Sequence, residues 1–211
     1  MIDYLESALG KVINKIQGRD YEQGDVLRAS RKRLKQFREH LTVGDRTLEI
    51  GTGSGVIAKI ALEKGAKELV AVDINPAAVA EAKRLLPQAT VLESDLFEKV
   101  QGVFDTIIFA PPWSEGEIED YFDHAIYDCG VVGRFLQEAT TYLAPHGRIW
   151  IQYSDESATN HQRFLRDLTD NGYRVEQSWS YLDWAILTGV HANIILYEIA
   201  PAPVVGETSQ G

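Results

Sequence analysis

The sequence predicts an α/β domain in which a seven-stranded, mostly parallel sheet lies between two layers of helices. Three observations predict it. Short apolar runs at 47–50, 68–73, 90–92, 104–109 and 148–153 alternate with longer stretches whose apolar residues recur at helical spacing. That is the pattern of parallel strands joined by crossover helices. A glycine turn, Gly51-Thr52-Gly53-Ser54-Gly55, joins the first run to the helix behind it, and the next two runs lead to acids, Asp73 and Asp95. In an open α/β sheet, ligands bind outside the carboxyl ends of the strands, so all three features point to one site.

Residues 1–44 read as an N-terminal helical segment. Ile2, Leu5, Leu9, Val12, Ile13 and Ile16 share one helix face, and Gly18 ends the run. Packing on the core is the plain expectation; a lid over the cleft and a homodimer contact are the other two. After a loop at 21–25, a second amphipathic helix carries Leu27, Leu34, Phe37 and Leu41 on one side. Arg28, Arg31, Lys32, Lys35 and Arg38 fall on the other, where a solvated face is expected and an acidic or phosphate-bearing substrate is the alternative.

The main domain spans 45–199. Thr47–Ile50 is the first strand. Gly51 permits a tight bend, Gly53 lets a ligand reach bare backbone, and Gly55 lets helix and strand pack closely. The helix at 55–64 aims its unpaired N–H groups at the loop and stops at Gly65. The strand 68–73 ends in Asp73, about 20 residues past the glycines, the distance at which a carboxylate grips a ribose. Asn75 and Pro76 start the next helix as cap and first-turn residue, and Pro87 closes it. The third strand, Thr90–Leu92, runs on through Ser94 to Asp95 and Leu96, and the fourth, Phe104–Phe109, leads into Ala110-Pro111-Pro112-Trp113.

Glu115, Glu117, Glu119, Asp120 and Asp123 crowd the following loop. A solvated turn is the default; steering of a cationic acceptor is the sharper alternative. A helix with Val132, Phe135, Leu136, Ala139 and Leu143 inward precedes a Pro145-His146-Gly147 turn and the strand Arg148–Tyr153. A helix at 156–170, with Phe164, Leu165 and Leu168 inward, follows. Two strands at about 173–181 and 192–199 come last, joined by a loop too short for a crossover and therefore antiparallel at the sheet edge. Residues 200–211 read as a flexible tail.

The turn Glu49-Ile50-Gly51-Thr52-Gly53-Ser54-Gly55 departs from the dinucleotide fingerprint, whose third glycine would stand at Val56. With Asp73 and Asp95 it resembles the S-adenosylmethionine-dependent methyltransferases of Rossmann-like fold. Ala110-Pro111-Pro112-Trp113 resembles the Asn-Pro-Pro-Tyr of a small-domain group that includes the release-factor glutamine methyltransferases. The resemblance implies S-adenosyl-L-methionine as cofactor. Glu49, Gly51, Thr52, Gly53 and Gly55 would hold its methionine portion, Asp73 beside Ile74 its ribose, and Asp95 with Leu96 its adenine. Ala110, Pro111, Pro112 and Trp113 would seat the acceptor, with Ala110 bordering the cofactor too. Prolines stiffen that loop so that its carbonyls aim at one spot, and Trp113 would stack on the acceptor.

Ala110 departs from the pattern, because it has no side-chain acceptor. Stranding an N–H donor costs ~1–3 kcal/mol. A substrate needing one such partner, such as an amine or a hydroxyl, would suffer less than a flat amide or an adenine amino group. The expected function is methyl transfer to a nitrogen of a small molecule, peptide or protein side chain. The alternatives are an RNA or DNA N-methyltransferase and a non-catalytic cofactor-binding subunit.

Composition narrows the classes. The 211 residues carry a net charge of −10, which opposes non-specific attraction to nucleic acid. No apolar run suits a membrane span. The single cysteine, Cys129, excludes an internal disulfide and fits a reducing, cytoplasmic setting. The five histidines, at 40, 124, 146, 161 and 191, form no metal signature; His124 and His191 are candidate bases by type alone.

Overall fold

The computed structural model describes residues 31–119, 121, 123–184 and 191–203. The expected helix at 2–16, the loop at 21–25, Arg28 and the tail beyond 203 lie outside them. Seven strands form one sheet: β1 (Arg46–Ile50), β2 (Glu68–Asp73), β3 (Thr90–Glu93), β4 (Phe104–Phe109), β5 (Leu143–Ser154), β6 (Tyr173–Trp184) and β7 (His191–Pro201). Among the described residues, five α-helices accompany them: α1 (Arg31–His40), α2 (Val56–Glu63), α3 (Pro76–Leu85), α4 (Val131–Glu138) and α5 (Ala158–Asp170).

The strand order is β3-β2-β1-β4-β5-β7-β6. Strands β1 to β5 pair in parallel, and β7 runs antiparallel between β5 and β6. The chain moves outward from β1 to β3, then returns to lay β4 on the other side of β1. The carboxyl ends of β1 and β4 thus flank the topological switch point, where a crevice opens because the connections leave in opposite directions.

Two apolar layers cover the sheet. One gathers Ile107, Phe109, Ile149 and Ile151 with Phe135 of α4 and Phe164 of α5. The other gathers Ile108 and Trp150 with Phe37 of α1, Ile60 of α2 and Val79 of α3. Alternate residues of β4 and β5 serve opposite layers, as the two-residue period of a strand requires.

The element boundaries depart from the sequence reading in a few places. Strand β5 begins at Leu143, because Leu143 already pairs with Phe104 before a register shift carries Arg148 against Thr106. His146 takes up that irregularity with a φ of 65°. Leu165 was expected inward but is 36% exposed, since α5 buries Phe164 and Leu168 a turn apart and Leu165 falls beside that stripe. Gly55 sits at the N-cap of α2 with φ 81°. A Cβ there would meet Ala82 Cα at 3.3 Å and Leu86 Cδ1 at 3.0 Å, so the close approach it permits is to α3 rather than to a strand.

Candidate active site

A cavity of about 350 Å³ opens at the switch point. Of the residues expected there, Gly51, Thr52, Gly53, Asp73, Ile74, Asp95, Leu96, Ala110 and Pro112 line it. Glu49, Gly55, Pro111 and Trp113 do not.

Gly51 and Gly53 both hold positive φ, 65° and 53°, which turns the chain sharply from β1 toward α2. Thr52 N–H donates to Val72 O at 2.9 Å, tying the turn to the end of β2. From there Asp73 reaches back. Its Oδ2 accepts Gly53 N–H at 2.8 Å and its Oδ1 accepts Asn75 N–H at 2.9 Å. Burial holds the Asp73 carboxyl above its usual range, and the N–H groups of Asn75, Gly53 and Ile74, with the nearby His124, offset this only in part. A carboxylate offers about four lone-pair positions, so acceptor capacity remains for a ligand hydroxyl.

Glu49 is placed differently from the expectation. It is 2% exposed and braces the turn from beneath, taking hydrogen bonds from Thr52 Oγ1 and from Ala58 N–H on α2. Burial raises its pKa to about 8, because no solvent or cation compensates the charge.

The third strand end supplies an acidic rim. Asp95 Oδ2 takes a 3.0 Å ion pair from Arg134 Nη1 of α4. Leu96 is buried with a φ of 45°, an uncommon conformation for a side-chain-bearing residue. Ser94 holds it there: its Oγ donates to Leu96 O at 3.1 Å and accepts Lys99 N–H at 3.0 Å.

Ala110 and Pro112 bring the fourth strand end to the cavity, while Trp113 does not line it. Its indole Nε1 donates to Glu156 Oε2 at 3.3 Å, and its carbonyl accepts from Asn160 Nδ2 at 3.3 Å. The Arg33 guanidinium lies over the ring, 4.2 Å from its centroid. The indole therefore clamps the loop between α1 and the start of α5.

Several lining residues were missed in the sequence. Arg33 is 9% exposed and lines the cavity, although it stands among the solvated basic residues of α1. Its position one helical turn before Phe37 was the available signal. Arg31, Lys32, Lys35 and Arg38 are exposed, as a solvated face requires. Gln152 of β5 also lines the cavity.

The acid-rich stretch after Trp113 contributes to the cavity lining. Ser114 N–H donates to Ile126 O at 3.2 Å and Asp128 N–H to Ser114 O at 2.8 Å, closing the loop at its base. Asp123 is buried and accepts Glu119 N–H at 2.9 Å, so it shapes the loop rather than facing solvent. Ile118, Tyr121, His124 and Tyr127 reach the cavity from this loop. Among the described residues, no three His, Cys, Asp or Glu side chains are placed to hold a metal ion, and no helix is long and apolar enough to cross a membrane.

Comparison with known proteins shows the family of the chain. The family model described as "Methyltransferase small domain" matches residues 21–181. The chain belongs to that family. A Methanocaldococcus jannaschii relative named "Putative protein N5-glutamine methyltransferase" is 40% identical over 143 residues, 62% of this chain and 72% of that protein. "Ribosomal RNA small subunit methyltransferase C" of Chromohalobacter salexigens is 32% identical over 110 residues, but those cover only 30% of its length. A solved ribosomal protein L11 methylase from Lactobacillus delbrueckii subsp. bulgaricus superposes with a TM-score of 0.62 at 16% identity, covering 85% of this chain and 83% of that one. The last comparison shows the fold alone.

S-adenosylmethionine is the cofactor of this methyltransferase small domain protein. The cavity fits it: bare glycine backbone and the N-terminus of α2 at one end suit a carboxylate, and the part-satisfied Asp73 carboxylate in the middle suits ribose hydroxyls.

Proposed function

We propose that this methyltransferase alkylates a nitrogen of a small molecule, peptide or protein side chain bound beside Ala110 and Pro112. One observation carries the reading: the Pro-Pro loop leaves β4 on the same cavity as the glycine turn and Asp73. The backbone of Gly51, Thr52 and Gly53 receives the methionine end, Asp73 and Ile74 the ribose, and Asp95 with Leu96 the adenine. Glu49 and Gly55 hold the turn without touching the ligand.

When bound, S-adenosylmethionine supplies a methyl group already activated by its sulfonium. The chain's own task is then to orient the acceptor and keep water out, and orientation can account for much of a rate enhancement. Pro111 and Pro112 fix the carbonyl directions, and Trp113 serves as the clamp that holds those prolines rather than as a stacking platform. The name of the Methanocaldococcus relative supports a nitrogen, and a glutamine side chain in particular.

A second reading, methylation of RNA, is supported by the ribosomal RNA relative. The net charge of −10 counts against it, as does the pairing of Lys35 with Glu39 at 3.5 Å on the basic face of α1.

Both are tested by incubating the protein with methyl-labelled S-adenosylmethionine and a desalted cell extract, then treating with nuclease or protease. Label in protease-sensitive or small-molecule fractions, carried on nitrogen, is expected. Label confined to nuclease-sensitive material would replace the first reading with the second.

A further inference from the structure

Gln152 occupies a place in the sheet that bears on the missing acceptor at Ala110. Strands β4 and β5 run parallel with Phe109 opposite Ile151, the last pair of that ladder. One residue further along each strand stand Ala110 and Gln152. Register partners in parallel strands project to the same side of the sheet, and both residues line the cavity. The carboxamide therefore stands next to the position where the related tetrapeptide carries asparagine.

Its orientation follows from a chain of hydrogen bonds. Gln36 of α1 is fully buried, and its Nε2 donates to Trp179 O at 3.2 Å and Ile194 O at 2.6 Å. Both partners are backbone carbonyls, which only accept, so the Gln36 amide group has one permitted sense. Its Oε1 must then be an acceptor, and Gln152 Nε2 donates to it at 2.7 Å. The same Nε2 lies 3.4 Å from Arg33 O. With its amino group committed to α1, Gln152 can present only Oε1 to the cavity. No described residue donates to that oxygen.

We infer that Gln152 Oε1 accepts a hydrogen bond from the methyl-accepting nitrogen, doing from β5 what Ala110 cannot do from β4, with Gln36 as the positioning residue. The inference rests on the nitrogen reading above. The site then offers two acceptors, the Gln152 carboxamide and a backbone carbonyl of the Pro111–Pro112 loop. A primary amide or amine with two N–H bonds can satisfy both, and an acceptor lacking N–H would leave the buried carboxamide unmatched. Specificity is strongest where a buried polar group would otherwise be stranded.

The test compares wild type, Gln152→Ala, Gln152→Glu and the double variant Gln152→Ala with Ala110→Asn. Each is given methyl-labelled S-adenosylmethionine and the labelled-acceptor fraction defined by the extract assay, and cofactor affinity is measured by calorimetry in parallel. Gln152→Ala should slow transfer about 10- to 100-fold, the loss expected of one buried hydrogen bond, while cofactor affinity changes less than about twofold. Gln152→Glu keeps an acceptor oxygen, reporting on fold as well as function, and should retain more activity than Gln152→Ala. Ala110→Asn in the Gln152→Ala background should recover part of the rate. Equal rates in wild type and Gln152→Ala, or parallel loss of cofactor binding without rescue by Ala110→Asn, would overturn the inference while leaving nitrogen transfer standing. A wild-type protein that labels no nitrogen removes the nitrogen reading and this inference together.

Discussion

Replacing Glu49 with glutamine should stabilise this protein in a pH-dependent way without weakening cofactor binding. Burial raises the Glu49 pKa from 4.5 to about 8, while its bonds from Thr52 and Ala58 lower it only in part. The folded state therefore keeps a proton that the unfolded chain releases above pH 4.5. Below that pH both states are protonated and the group is neutral in its effect. Between the two values the folded state binds one more proton than the unfolded one, so stability falls as pH rises, by about 1.4 kcal/mol per unit. At pH 7 the accumulated cost is about 3 kcal/mol. Above pH 8 it levels off.

Glutamine has nearly the same shape, and its carbonyl can accept from both Thr52 Oγ1 and Ala58 N–H. Urea unfolding of both proteins from pH 5 to pH 9 measures the difference. The gap between Glu49→Gln and wild type should open steadily between pH 5 and pH 8 and reach a few kcal/mol, while the calorimetric cofactor affinity stays within about threefold. Parallel pH profiles would show that the carboxyl is ionised in the folded protein. A drop in cofactor affinity above tenfold would show that Glu49 contacts the ligand after all; the first result refutes the buried, protonated state and the second the purely bracing role.

Further outcomes follow from the same geometry. Asp73→Ala should weaken cofactor binding by about 10- to 100-fold, the loss expected for a hydrogen bond to a charged group; unchanged calorimetric affinity would remove the ribose assignment. Gly55→Ala should cost about 2 kcal/mol or more in urea unfolding, because φ is 81° and the new methyl meets the α3 backbone; a neutral effect would contradict the packing of α2 on α3. Arg33→Ala should lower stability by about 1 kcal/mol through loss of the stack on Trp113. Arg33→Lys should recover it only partly, since an ammonium lacks the flat guanidinium face; full recovery in thermal melts would count against the stack. Reversing Lys35 and Arg38 to glutamate should leave methyl transfer insensitive to salt; strong loss of activity would favour a nucleic-acid acceptor.

The parts of this fold that were legible in sequence are those governed by local rules. Strand β2 and strand β4 show at their observed ends because each is a short apolar run bounded by a turn or an acid. Asn75 and Pro76 mark the start of α3 because a side-chain cap and a fixed φ act within one turn, and Asn75 Oδ1 does accept Ala77 N–H at 2.9 Å. The register of side chains across two strands is not local. Nothing near Gln152 in the chain says that β4 will lie beside β5 with Ala110 as its neighbour. Arg33 was hidden for a related reason: only helical phase, one turn before Phe37, separates it from the exposed basic residues around it. The contacts of Trp113 are equally non-local, since Arg33, Glu156 and Asn160 reach it from elements distant in the chain.

The two ends of the cavity are built by different physics. At the proposed cofactor end, backbone N–H groups and carboxylates at successive strand ends would do the holding, and these need only the sheet and its glycines. At the acceptor end, α1, β5 and the loop after Trp113 supply the wall. Helix α1 is fixed on the C-terminal hairpin through buried Gln36, and His40 stacks on Trp179 with ring centroids 4.6 Å apart. Lifting α1 would strand two backbone carbonyls and free the Gln152 carboxamide to rotate, at a cost of ~1–3 kcal/mol for each buried group left unpaired. The loop after Trp113 is tied more lightly, with Arg163 reaching exposed Glu115 at 3.5 Å and Asp128 at 3.4 Å. An acceptor that entered past the loop carrying Tyr121 and His124 would leave the Gln36–Gln152 contact intact. The Gln152 oxygen would then keep its orientation, because its amino group stays bonded to α1.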